Sequence, residues 1–143
     1  MELSRQADYA VRAMVDIAAF PHGERVLTSE IARRQQIPET FLPRIVAALN
    51  RAQLVRTFRG NAGGVSLARP ASEISVLDVV QAVDGPICLN RCTYEPSRCE
   101  RYTFCRVHPL WKQAQNALNQ ILGGTTLADL IQGPPVRRPL PES

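Results

Sequence analysis

The stretch from Leu54 to Leu67 constrains the fold most. Leu54-Val55-Arg56-Thr57-Phe58 alternates as a half-buried strand does, and Val65-Ser66-Leu67 returns as a second strand. Between them Arg59-Gly60-Asn61-Ala62-Gly63-Gly64 is rich in the residues that tolerate tight turns. A β-hairpin is therefore expected here, and what precedes it is helical. Ala7, Ala10, Val11, Met14, Ile17 and Ala18 recur at helical spacing, which predicts a first helix over 4–20 with Ser4 as its N-cap. Pro21-His22-Gly23 ends it. A short second helix over 29–36 follows, capped by Thr28 or Ser29. After the Ile37-Pro38 break comes a third over 39–52, with Phe41, Leu42, Ile45, Val46 and Leu49 facing inward. Two short helices joined by a tight turn form a helix-turn-helix, and a hairpin directly after them is a wing.

Downstream, Ser75 and Asp78 have capping-box spacing and open a fourth helix to about Val83, stopped by Asp84-Gly85-Pro86. Pro109 opens a fifth, with Trp111, Ala114, Leu118, Ile121 and Leu122 as its apolar stripe and Gly123-Gly124 as its stop. Thr126 to Asp129 has capping-box spacing for a last short helix. The segment 133–143 holds four prolines and two arginines and is expected to be disordered. The organisation expected is a winged helix-turn-helix over 1–84, a cysteine-rich loop over 85–108, a long helix and a short one over 109–132, and a tail over 133–143.

The chain has 143 residues and a net charge of +4, and its 17 basic side chains are all arginine except Lys112. Guanidinium groups grip phosphates and base edges in a forked geometry. Their placement matters more than their number. Thr40, Arg44 and Arg51 fall on the third helix, where a recognition helix would face the major groove of double-stranded DNA. Arg56 and Arg59 fall on or near the hairpin tip, from which an Arg can enter a narrow minor groove. Ser29 stands at a helix N-terminus, where backbone N–H groups can hold a phosphate.

All four cysteines and one of the two histidines lie within a single short stretch, spaced Cys88-x3-Cys92-x6-Cys99-x5-Cys105-x2-His108. Thiolates gathered on an irregular loop are what zinc and iron–sulfur clusters need. Three thiolates and one imidazole could complete a zinc site or an iron–sulfur centre with mixed ligands. The paired spacing of a zinc ribbon is missing, which makes zinc the less natural fit. Arg5, Asp8, Arg12 and Asp16 interrupt the N-terminal apolar stripe, so neither a signal peptide nor a membrane span is expected. The expected location is the cytoplasm, whose reducing conditions favour metal binding over a structural disulfide. No nucleophile-and-base constellation and no phosphate-cradling motif points to an enzyme.

These features together resemble the iron–sulfur winged-helix regulators of the IscR, NsrR and RirA type. The resemblance runs from Met1 to about Ile131. It rests on Tyr9-Ala10-Val11-Arg12 with Met14, on Arg59-Gly60 with Gly63-Gly64, on Val80-Gln81-Ala82-Val83-Asp84, and on the cysteine loop running into His108-Pro109-Leu110-Trp111. It implies a mainly α fold with a small β-hairpin: a winged helix-turn-helix plus a long dimerisation helix, forming a homodimer on operator DNA. Cys92, Cys99 and Cys105 match the family's cluster cysteines. His108 matches the fourth ligand of members holding [2Fe–2S]. Asp8 matches the carboxylate that other members supply across the dimer to [4Fe–4S]. An imidazole already on the loop needs no reach between subunits, which favours His108 and [2Fe–2S]. Cys88 is an additional thiol, readable as a spare, an alternative ligand or a resolving thiol. Pro43 replaces a Glu that discriminates between DNA sites in IscR-like members. The function implied is transcriptional regulation by a cluster that senses redox, iron or nitric oxide. The alternative is a zinc-stabilised winged helix that binds DNA or protein without sensing.

Overall fold

The computed structural model describes residues 2–60, 63–95, 99–101 and 103–132. The proline-rich tail over 133–143 and the hairpin residues Asn61 and Ala62 lie outside the described residues. Helix α1 (Arg5–Ala18) starts where Ser4 Oγ accepts the Ala7 N–H at 3.0 Å. The same hydroxyl donates to Asp84 at 2.6 Å, so one side chain caps α1 and ties it to the end of α4 (Val76–Asp84). Helix α2 (Thr28–Gln35) is not capped by Thr28 or Ser29 as the sequence predicts. Leu27 is its N-cap, and the two hydroxyl residues form the first two helical positions instead. At its other end Gln36 turns left-handed, φ 55°, and Arg12 donates to the Gln35 carbonyl at 2.7 Å.

The expected third helix is split. Glu39–Phe41 is a 3-10 turn, and α3 runs from Leu42 to Arg51. Pro43 explains the split, because it has no N–H to give the carbonyl four residues back. The chain tightens instead, with Phe41 N–H on Pro38 O and Leu42 N–H on Glu39 O. Strands β1 (Val55–Phe58) and β2 (Gly64–Leu67) pair antiparallel in the register Val55↔Leu67 to Phe58↔Gly64. Val26 extends the hairpin from the opposite side, exchanging backbone bonds of 2.8 and 2.9 Å with Val65. The bridge passes close over Gly64, where a Cβ would sit 2.8 Å from the Val26 carbonyl oxygen, so only glycine fits.

The Ser75/Asp78 capping box of α4 forms as expected, as does that of Thr126 and Asp129 before α7 (Leu127–Gln132). The cysteine segment contains an unforeseen helical turn, α5 (Arg91–Tyr94). Helix α6 (His108–Gly124) continues through the glycine pair expected to end it. Gly123 serves packing instead: a Cβ there would meet Leu77 Cδ2 of α4 at 3.3 Å. The helix stops where Thr125 becomes extended and its carbonyl accepts the Val76 N–H at 2.9 Å.

One core gathers Ala10, Met14 and Ile17 of α1, Ile31 of α2, Ile45 and Leu49 of α3, Val65 and Leu67 of β2, and Val79 of α4. Leu127 of α7, 0% exposed, joins it, so the last helix among the described residues closes on the first. Asp16 and Arg34 lock α1 to α2 through a forked pair, at 3.0 and 2.8 Å, with Gln35 adding a third bond to Asp16.

Candidate DNA-reading surface and cysteine segment

Surface residues of α2, α3 and the wing line adjoining grooves. A groove of about 390 Å³ runs between Thr28 and Ser29 of α2, Val46 of α3, and Thr57, Phe58, Gly60 and Gly63 of the wing. A second, of about 310 Å³, continues from Ser29 past Pro43 to Glu39. Thr40 and Arg44 line a third hollow of about 240 Å³ at the start of α3. Thr28 and Ser29 occupy the first helical turn, where N–H groups have no carbonyl within the helix to bind. Ser29, Thr40, Arg44 and Arg59 are all exposed. Such a surface presents guanidinium, hydroxyl and backbone N–H donors, the groups that contact phosphates and base edges.

Arg51 and Arg56 stand apart from that groove. Arg51 ends α3, and Arg56 lines a hollow at the hairpin base with Asn50, Gln53 and Arg69. Arg25 carries no sequence signal that singles it out. Its guanidinium lies 3.9 Å from the centre of the Phe58 ring, stacked against the wing. It directly precedes Val26, the residue bridged to Val65.

The four cysteines are free thiols, each half-buried. Cys88 Sγ–H donates to the Asn90 carbonyl at 2.6 Å and lies 3.5 Å from Thr93 Oγ1. Cys92 sits in α5, Cys105 just before α6, and His108 is the first residue of α6. Asp8 is exposed on the first turn of α1, paired with Arg12 at 3.3 Å. Among the described residues, no three His, Cys, Asp or Glu side chains converge closely enough to hold a metal ion. The donor types nevertheless fit an iron–sulfur group. They are unpaired thiols on a short segment, partly screened from water, with an imidazole at its end.

The stripe expected along α6 divides. Leu118 and Leu122 are half-buried, whereas Leu110, Trp111 and Ile121 are exposed. Leu110 and Ile121 are eleven positions apart, which returns them to within about 20° of each other around a helix. The only buried residue of α6 is a polar one that sequence periodicity gave no reason to notice, Gln115. Its carboxamide binds the segment that carries Cys88. Among the described residues, no helix is long and apolar enough to cross a membrane.

The family model described as Rrf2, iron-dependent transcriptional regulator, matches residues 3–133. The chain is similar to a Mycobacterium tuberculosis protein named as an HTH-type transcriptional regulator, 38% identical over 133 residues, 93% of this chain and 83% of that one. It is also similar to the HTH-type transcriptional regulator IscR of Vibrio atlanticus, 33% identical over 132 residues, 92% of this chain and 76% of that one. Among solved structures, T. potens IscR superposes with a TM-score of 0.74 at 28% identity, covering 92% of this chain and 87% of that one. The oxidized form of Staphylococcus aureus CymR superposes with a TM-score of 0.73 at 26% identity, covering 95% and 100%.

Proposed function

The chain belongs to the Rrf2 family of winged-helix, DNA-binding transcriptional regulators, and we propose that its operator affinity is set by an iron–sulfur cluster. The observation that carries this reading is the concentration of four free, half-buried thiols directly ahead of α6. Cys92, Cys99 and Cys105 would hold the cluster. His108 is the favoured fourth ligand, with [2Fe–2S], and Asp8 from a second copy or Cys88 the alternatives. Bound there, a cluster would supply an oxidisable, ligand-labile centre held by these thiolates.

The remaining steps belong to the chain itself. Leu110 and Ile121 present an apolar edge of α6, which we assign to a two-fold contact with a second copy. Two-fold helix-turn-helix proteins place their recognition helices about one DNA turn, roughly 34 Å, apart. A change in how α6 sits on the cysteine segment alters that spacing and so the affinity. On the DNA, Ser29 N–H would hold a phosphate, Thr40, Arg44 and Arg51 would face the major groove or its rim, and Arg59 would reach the minor groove, with Arg56 nearer the hairpin base.

The test is purification without oxygen, followed by visible and EPR spectra, iron and sulfide assays, and operator binding with and without the cluster. A brown protein with acid-labile sulfide and unequal holo and apo affinities is expected. His108→Ala should change the spectrum and Asp8→Ala should not; the reverse assigns the ligand to Asp8. A colourless protein with stoichiometric zinc overturns the reading in favour of a zinc-stabilised module. Equal holo and apo affinities overturn the sensing role.

A further inference from the structure

We infer that Gln115 is a positioning residue through which the cysteine segment controls the seat of α6. The inference rests on the cluster reading above. Gln115 is 4% exposed, and its carboxamide is bonded on both ends. Oε1 accepts the Leu89 N–H at 2.7 Å, and Thr93 Oγ1 lies 3.4 Å from it. Nε2 donates to the Ile87 carbonyl at 2.8 Å and to Asn119 Oδ1 at 3.0 Å. A carboxamide has two donors and a two-lone-pair acceptor, so this one is close to saturated. Thr93 has a single hydroxyl proton, directed chiefly to the Asn90 carbonyl at 2.7 Å and only secondarily to Gln115.

Three of the four partners lie between Ile87 and Thr93, and the fourth is one turn further along α6. The clamp therefore spans Cys88, whose thiol is bonded to the same Asn90 carbonyl. It ends beside Cys92, because Cys92 and Thr93 are consecutive residues of α5. One of that pair is a proposed ligand and the other touches Gln115. A buried polar network is either well satisfied or costly, so it resists gradual deformation. Movement of Cys92 is thus carried to the middle of α6 rather than absorbed by slack in the loop. An apolar side chain at position 115 would fill the same space and transmit none of this.

The experiment compares wild type with Gln115→Met, which keeps volume and removes every bond. In cluster-free protein, hydrogen exchange of the Leu89 amide is read by NMR. It is expected to quicken by about tenfold or more as its acceptor is lost, with the α1–α4 amides unchanged. Unchanged protection of Leu89 overturns the inference. In cluster-loaded protein with a wild-type spectrum, the ratio of holo to apo operator affinity is expected to fall at least about fivefold, the lower end of usual coupling strengths. A wild-type ratio overturns the inference. Should Gln115→Met fail to fold or load, Thr93→Val removes one of the Gln115 contacts, together with the hydroxyl's contacts to the Asn90 carbonyl and the Cys88 thiol, and must still lower the ratio. A wild-type ratio in that variant overturns the inference as well. A wild-type protein with a ratio of one refutes the proposed function itself, whatever Leu89 exchange reports.

Discussion

On the proposed two-fold contact, truncating Ile121 to alanine separates what α6 does within one protomer from what it would do between two. Ile121 is 65% exposed, so in a single chain most of its surface gains nothing from folding. The substitution removes three carbons, each worth about 0.8 kcal/mol when fully covered. Scaled by the exposed fraction, a partner's cover contributes about 1.6 kcal/mol per protomer. A two-fold contact counts that surface twice, about 3 kcal/mol in all. At about 1.4 kcal/mol per tenfold, the dimer dissociation constant should rise by about two orders of magnitude.

Sedimentation velocity over a dilution series reads that constant directly, and far-UV circular dichroism checks that the fold is unchanged. Operator binding should weaken in parallel, since a two-fold helix-turn-helix protein engages paired half-sites together. Leu127→Ala is the contrasting variant. Leu127 is fully buried between α7 and the core, so its loss leaves a cavity and costs about 2–5 kcal/mol of folding stability instead. Should Ile121→Ala associate within about threefold of wild type, a shift under 1 kcal/mol, the outward edge of α6 is not the contact surface and the inference from exposure is refuted.

Arg59→Ala should weaken operator binding and lower the slope of log affinity against log salt by about 1, read by fluorescence anisotropy; an unchanged slope places Arg59 off the DNA. Asp16→Asn should cost about 1.5–3 kcal/mol in urea unfolding, because it removes the carboxylate that receives both forks of Arg34. The hydrogen bond to Asp16 raises the Arg34 pKa above its ordinary value. On the arginine side the pair's contribution is therefore constant through neutral pH and is lost only as pH climbs through that raised value. Ser4→Ala should cost about 1 kcal/mol for the lost cap, and somewhat more because the Asp84 bond goes with it.

What was legible in the sequence was local. Ser4, Ser75 with Asp78, and Thr126 with Asp129 each announce a helix start within four residues, and all three form. The wing is equally readable, since alternation and a Gly-rich turn leave little else for 54–67 to become. What misled was chemistry with two uses. Gly123 and Gly124 read as a stop, yet the same missing side chain at Gly123 admits Leu77, and only the placement of α4 decides between them. Thr28 and Ser29 read as caps, but the Val26–Val65 bridge draws the preceding chain onto the wing, and the helix begins one position early. Gln115 carried no signal at all, since a glutamine on a helix reads as solvated until its neighbours are known.

These details bear on how a sensing half could address a reading half. The C-terminal end of α6 is held on α4 by the Gly123–Leu77 contact and by the Thr125–Val76 bond. It is held again through Leu127, which packs among the residues that support α1 and α3. The middle of α6 is held on the cysteine segment by Gln115, and the start of that segment follows Asp84, which Ser4 ties to α1. The helix thus has one end anchored in the reading head and a second anchorage in the residues that bear the thiols. A rearrangement of 87–93 has only the N-terminal half of α6 to act on, and that half carries Leu110. The same anchorages leave α1–α3 and the wing packed as they are. On the proposed function, a signal would therefore change how two reading heads are spaced without changing how either one reads.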